Sequence, residues 1–262
     1  MAYIDKYGVE YSDDKTVLVC CPCTFEGRRY EGEFVIPQGV KTIAKQAFLF
    51  GGKNITSIVF PESLIEIEEE AFKGCENLRE LVFPINLKHI GNEAFYGCSR
   101  IETITFPNNL ESIGEQAFEG CGIGRSWLSE VHIPTSIKQI GKEAFAHSGI
   151  ASLSLPEDSK LEIIENGVFR GSSIRTIALP PAIREIKQEA FKCCKDLKTI
   201  IIQNDNILLG NSTFDGCKNL SKIIVPKGRK KWIIMHNSHL HNCYPVIEVR
   251  KSIEEIIEES DR

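Results

Sequence analysis

The chain has 262 residues, of which 42% are apolar and 26% are charged. This is an ordinary composition for a soluble globular protein. Its formal net charge of −5 gives no overall field that attracts nucleic acid or an anionic membrane surface, so we expect neither as a partner. No apolar run approaches the roughly 20 residues that a membrane-spanning helix needs, so we expect no membrane insertion.

Residues 1–33 precede the regular part of the sequence, and we predict that they form an N-terminal β cap. They contain no apolar leader segment. As it stands, the sequence therefore predicts a cytoplasmic protein, or a cell-surface or secreted one if a leader has been removed. The stretch VLVCCPC at 17–23 has no second cysteine pair at zinc-finger spacing after it, so we interpret its cysteines as strand residues.

Residues 34–226 contain a nine-residue motif that occurs eight times in tandem. At 90–98 it reads Ile-Gly-x-x-Ala-Phe-x-Gly-Cys, and between copies lies a strand-like motif ending in proline, such as LRELVFP at 78–84. Each unit reads as a strand, a proline turn, a short Leu/Ile segment and one helical or 3-10 turn. The phenylalanines are 22–24 residues apart, with one gap of 27: Phe48, Phe72, Phe95, Phe118, Phe145, Phe169, Phe191 and Phe214.

One unit of about 23 residues cannot bury its own apolar face, so the units are expected to stack in a right-handed parallel coil. Each motif position then becomes a column, and the phenylalanines form an aromatic one. The last motif position holds cysteine, serine or glycine, which indicates selection for size. Metal ligands must converge on one point, which a straight column does not allow, so we interpret these thiols as space-filling: Cys75, Cys98, Cys121, Cys194 and Cys217.

These motifs resemble the BspA-type (Treponema-type) leucine-rich repeats, most closely at 84–106 and 107–121, and the resemblance covers about residues 33–226. It implies an α/β repeat solenoid, a right-handed leucine-rich-repeat horseshoe with a parallel β-sheet on its concave face and short helical or 3-10 turns, otherwise mostly β and irregular. It also implies protein interaction or adhesion, often at a cell surface, with no enzymatic activity and no cofactor.

The strand motifs predict a strip of outward-facing side chains on the concave sheet. Most of them are small or β-branched, which suits docking of a protein or an extended peptide. The alternative is that β-branched residues are present for strand fit alone. The predicted partner-binding residues are Val59, Glu80, Val82, Thr103, Thr105, Glu130, His132, Ser154, Ala178 and Ile201.

The 27-residue unit contains an insertion at 122–130 that holds Arg125 and Trp127. Insertions in repeat proteins form loops on one face, often the binding face, and Trp and Arg are typical of interaction hot spots. The alternative is structural, with Trp127 folded back over the adjacent turn.

Residues 227–262 break the period, and we predict a C-terminal cap with a short helix that shields the last repeat. Four potential zinc ligands lie close together there, which makes metal binding the alternative function, against scattered polar loop residues: His236, His239, His241 and Cys243. The leading hypothesis is a non-catalytic scaffold, expected to be monomeric, that binds a protein or peptide. No phosphate-binding loop or hydrolase motif supports an enzyme.

Overall fold

The computed structural model describes residues 2–22, 24–25, 28–29, 32–49, 52–123, 128, 130–204, 206–226 and 246–248. They form a β-solenoid in which every repeat contributes one turn of the coil. Each turn has three sides: a long strand, a short strand and a tight turn that carries the Ala-Phe motif.

The strands are short because each spans only one side of the coil. Those before the first Ala-Phe turn are β1 (Tyr3–Ile4), β2 (Glu10–Tyr11), β3 (Val17–Cys20), β4 (Thr24–Phe25), β5 (Arg28–Arg29), β6 (Gly32–Val35) and β7 (Thr42–Ile43). The later ones are β8 (Ile55–Val59), β9 (Glu66–Ile67), β10 (Glu80–Val82), β11 (His89–Ile90), β12 (Thr103–Thr105), β13 (Ser112–Ile113), β14 (Glu130–His132), β15 (Gln139–Ile140), β16 (Ser152–Ser154), β17 (Ile163–Ile164), β18 (Thr176–Leu179), β19 (Glu185–Ile186), β20 (Thr199–Ile202), β21 (Leu208–Leu209), β22 (Lys222–Val225) and β23 (Val246–Glu248).

The even-numbered strands from β6 to β22 form one parallel stack, the long-strand stack, which β23 extends at its C-terminal end. Equivalent residues of neighbouring repeats lie side by side, as in the pairs Leu81 with Ile104 and Val82 with Thr105. Leu81 and Ile104 point into the core and Val82 and Thr105 point out, so the period of two read from the strand motifs is confirmed here.

A second parallel stack, the short-strand stack, consists of β3 and the odd-numbered strands from β7 to β21. The sequence pattern predicted these parts of each unit only as short Leu/Ile segments between the proline turn and the Ala-Phe turn. The structure instead pairs them, for example Ile67 with Ile90 and Ile90 with Ile113. The antiparallel strands β1 and β2 join this stack through β3, which pairs in parallel with β7.

The Ala-Phe segments are hydrogen-bonded turns rather than the predicted helical ones. The single 3-10 helix in the described part of the chain is Gly52–Asn54. The reason is a left-handed residue two positions before each phenylalanine, such as Glu93 with φ 53°, because one left-handed residue interrupts a right-handed helix. The phenylalanine N–H instead donates to the next turn, for instance from Phe95 to the Ala117 carbonyl at 2.8 Å.

The aromatic column is confirmed, and it is continuous. All eight phenylalanines are buried, and neighbouring rings stack with centroids 4.5–6.0 Å apart from Phe48 to Phe214. By contrast, the long-strand stack is divided into three sheets, with gaps between β12 and β14 and between β16 and β18. The short-strand stack is divided between β15 and β17. The rings Phe118 and Phe145 stay 5.4 Å apart across the first of these gaps, where the 27-residue unit lies.

Candidate interaction surface

The outward side of the long-strand stack, called here the long-strand face, carries the strip predicted from the sequence. The strip is open to solvent from β8 to β16, and Ala178 in β18 is half-buried. The exposed strip residues are Val59, Glu80, Val82, Thr103, Thr105, Glu130, His132 and Ser154.

Ile201 is the exception, and its predicted exposure is wrong. All four residues of β20 are buried, and Ile201 keeps only 2% of its surface exposed. Ile224, its partner in the register of β22, is also buried. Alternation predicts only which side of a sheet a residue faces, and here both sides of the strand are covered. The available part of the long-strand face therefore ends before β20.

The N-terminal zone of this face is apolar. Val35, Val59 and Val82 are 59%, 43% and 60% exposed. Val35 pairs with Val59, and the pairing of Ser57 with Glu80 places Val82 next in the same row. Val35 is not among the predicted strip residues, although the segment GEFVIP at 32–37 has the same strand-then-proline form as the later motifs.

Acidic side chains border this valine row. A shallow depression of about 490 Å³ lies over β6, β8 and β10, and its lining includes Glu33, Glu62 and Glu80 beside Val59 and Val82. All three glutamates are exposed. Within the described residues none of them forms an ion pair, which leaves the zone with a net negative charge.

The middle zone, from β12 to β18, is rich in hydroxyl groups. A depression of about 440 Å³ is lined by Ser152, Ser154 and Thr176, with Arg175 at its border. The Thr176 hydroxyl is buried and has no hydrogen-bond partner among the described residues. In the same zone Glu130 lies 3.6 Å from His132, so this carboxylate already has a neighbour that can become cationic.

The cysteine column lies inside the coil and not at a surface. Cys98 and Cys121 are buried, and each thiol donates to the phenylalanine carbonyl of the preceding turn, Phe72 or Phe95, at 3.2 Å. Burial raises the pKa of Cys75 to about 12 and raises that of Cys121 as well. These thiols stay protonated at neutral pH, which fits the space-filling interpretation.

The Ala-Phe turns present a ladder of carboxylates bridged by cations. Lys73 contacts both Glu70 and Glu93, and hydrogen bonds to these carboxylates raise the pKa of Lys73. Arg170 likewise lies between Glu143 and Glu189. Because its charges are largely paired, this side of the coil offers little free charge to a partner.

Two groups of sequence candidates lie outside the described residues. They are the insertion-loop residues Arg125 and Trp127 and the potential metal ligands His236, His239, His241 and Cys243. Within the described ranges no group of three or more His, Cys, Asp and Glu side chains is placed to hold a metal ion. A search of the same ranges finds no helix that is long and apolar enough to cross a membrane.

Comparison with known proteins agrees with this architecture. A family model, the BspA type leucine rich repeat region with six copies, matches residues 23–127 and 124–247. The sequence matches none of the curated proteins with which it was compared.

Several solved bacterial structures share the fold. A leucine-rich repeat protein from Bacteroides ovatus aligns over 95% of this chain and 75% of its own, with 22% identity and a TM-score of 0.61. The T. pallidum leucine rich repeat protein aligns over 90% and 92%, with 22% identity and a TM-score of 0.56. The pneumococcal vaccine antigen PcpA aligns over 86% and 81%, with 16% identity and a TM-score of 0.50. At these identities the likenesses establish the fold alone.

Proposed function

Since this chain belongs to the BspA-type leucine-rich repeat family, we propose that it is a non-catalytic scaffold that binds an extended segment of a partner protein. The binding surface is the long-strand face from β6 to β18, on the concave side of a horseshoe. The observation that carries the proposal is the exposed strip of valine, threonine and serine side chains along this face. Cell-surface display and adhesion are the setting that we propose for it.

Two further features are consistent with binding at this face. It has several shallow depressions that follow one another from strand to strand across the stack, including one of about 440 Å³ beside His132 and Ser154. An extended chain lying across parallel strands can use such a series, because its side chains reach successive depressions. The turn side, in contrast, has its carboxylates paired by cations such as Lys73 and Arg170.

The proposal is tested by selecting peptides from a displayed random library on the intact protein. The selected peptides are then titrated against the double variant Thr105→Arg/His132→Glu. These changes add bulk, one positive charge and one negative charge to the strip. A control variant, Glu119→Arg, adds bulk and reverses one charge on the Ala-Phe turn side.

We expect the strip variant to abolish binding and the control to leave it unchanged. Selected peptides that bind the strip variant as well as the natural chain would overturn the proposal. So would a selection that enriches no peptide. Thermal melting of both variants checks that the coil is intact, since all the altered side chains are at least partly exposed.

A further inference from the structure

We infer that the N-terminal zone of the long-strand face, formed by β6, β8 and β10, recognises a cationic and aliphatic segment of the partner. Such a segment presents lysine or arginine together with aliphatic side chains. This inference rests on the proposed function, because it names the partner chemistry for one zone of the same face.

The apolar half of the recognition comes from the valine row. Val35, Val59 and Val82 stand side by side on three neighbouring strands, with 59%, 43% and 60% of their surfaces exposed. Ile85, just after β10, extends the apolar area and is 49% exposed. Covering contiguous aliphatic area of this kind favours binding, because a partner removes it from water.

The charged half comes from carboxylates on both sides of that row. Glu33 and Glu80 lie two positions before the valines in their strands, and Glu62 lies beyond the strand end. Ser57 separates Glu33 from Glu80 in the register. Adjacent strands are about 4.8 Å apart, so a cation above Ser57 is within reach of both carboxylates.

Lysine and arginine side chains fit both halves at once. Their methylene stems pack on apolar surface while their charged ends remain in a polar setting. Here the stem would cover Val59 or Val82 and the charged end would reach Glu80 or Glu33. An acidic or purely polar segment would leave these carboxylates without a partner and the valines without cover.

The neighbouring zone lacks this combination, which makes it an internal control. Thr103 and Thr105 replace the glutamate and valine of β10 in the same register. Glu130 occupies the glutamate position in β14, but it lies 3.6 Å from His132 and has no exposed valine next to it. Glu157, directly after Pro156, occupies the position that Glu62 holds after Pro61, four repeats earlier.

The experiment uses a fluorescein-labelled peptide of repeating Lys-Lys-Val-Val, in which each face of an extended chain presents lysine and valine in turn. Matched peptides replace lysine by glutamate or valine by serine. Fluorescence anisotropy titrations compare the full chain with Glu33→Gln/Glu80→Gln and with Val59→Thr/Val82→Thr. The controls are Glu119→Gln, which removes the same charge from the Ala-Phe turn side, and Glu157→Gln, which removes it from the position equivalent to Glu62.

We expect the Lys-Lys-Val-Val peptide to bind at least about tenfold more tightly than either matched peptide. Each double variant should weaken this binding by about tenfold, and neither control should change it. Raising the salt concentration from about 50 to about 500 mM should weaken it too, since screening acts on exposed charges.

Three results would overturn the inference: equal binding of the glutamate peptide, loss of binding with Glu157→Gln alone, or full binding by both double variants. The library selection keeps this failure separate from failure of the proposed function. Selected peptides that lack lysine and arginine, and whose binding still depends on Thr105 and His132, would contradict the inference and leave the scaffold proposal intact.

Discussion

The Ala-Phe turns and the long-strand face arise from the same repeats, yet they vary in opposite ways along the coil. The turns keep one geometry: rings stay stacked from Phe48 to Phe214, and each phenylalanine N–H from Phe48 to Phe191 donates to the next turn. The long-strand face changes from valine and glutamate at β10 to hydroxyl groups at β12 and β16, and it is buried at β20.

From this difference we expect stability and recognition to depend on different sides of the coil. The turn side crosses the gaps that divide both strand stacks, so it is the element that joins all the repeats. The long-strand face is free to vary because its outward residues make few contacts within the chain. Changes in the turns are therefore expected to affect folding, and changes on the face to affect binding.

The largest effect on stability is expected from removing one phenylalanine ring from the column. Phe118→Ala should lower the free energy of unfolding by about 3–5 kcal/mol, because it leaves a cavity in a fully buried stack. Val82→Ala on the exposed face should cost less than about 1 kcal/mol. Urea unfolding followed by circular dichroism measures both. A Phe118→Ala cost as small as that of Val82→Ala would show that the column does not join the repeats.

Glycines of the nine-residue motif should give the next largest effect on stability when they are replaced. A Cβ at Gly114 would lie 2.5 Å from backbone atoms of the preceding turn, whereas one at Gly97 meets nothing within 4 Å. Gly114→Ala should cost about 1–3 kcal/mol through crowding. Gly97→Ala should cost about 1 kcal/mol, through its positive φ of 71°. Thermal unfolding measures the loss of stability in both variants. A larger loss for Gly97→Ala than for Gly114→Ala would contradict close packing between turns.

The buried thiols should make stability depend on alkaline pH. The pKa of Cys75 is raised by burial to about 12, above the ordinary thiol value of about 8.5. A thiol whose pKa is raised in the folded state contributes its full share of stability below about pH 8.5. That contribution is lost as pH rises toward about 12. The loss should be about 1.4 kcal/mol per pH unit for this thiol.

Cys75→Ser provides the matched comparison for this thiol, because Ser148 and Ser172 already occupy the same column. Its stability should fall less steeply between about pH 8.5 and 10.5 than that of the natural chain. Denaturant unfolding at a series of pH values measures the slopes. Parallel slopes would mean that Cys75 ionises within the folded coil.

The smallest effect on stability is expected on the long-strand face. Val59→Thr/Val82→Thr keeps β-branched residues in both strands and removes only exposed methyl surface, so unfolding should change by less than about 1 kcal/mol. The same variant should lose most of its peptide binding. A large drop in stability would mean that the valine row contributes to the fold and would weaken its assignment to recognition.

The repeat pattern predicted much of this architecture because each motif position recurs. Eight aligned copies make the buried columns visible, and the alternation in LRELVFP gives the inward side of a strand directly. The short-strand stack was missed because its strands from β7 to β21 are only two residues long, as at His89–Ile90, and too short to show alternation. The left-handed turns were missed because Glu93 and Glu143 are not residue types that signal a positive φ.

The candidate surface was predicted only in part. Burial of Ile201 depends on what covers the outward side of β20, which a strand pattern does not contain. Val35 and Glu33 were missed because their strand precedes the first complete copy of the nine-residue motif. That Glu33, Glu62 and Glu80 form no ion pair with the described residues is a property of their surroundings in space.

The most direct test of the division between turn side and face is a methyl NMR spectrum of the valine-labelled chain, recorded while the Lys-Lys-Val-Val peptide is added. We expect the resonances of the exposed Val35, Val59 and Val82 to shift, and those of the buried Val131 and Val168 to stay in place. Equal shifts of buried and exposed valines, or shifts confined to residues away from β6, β8 and β10, would contradict the account.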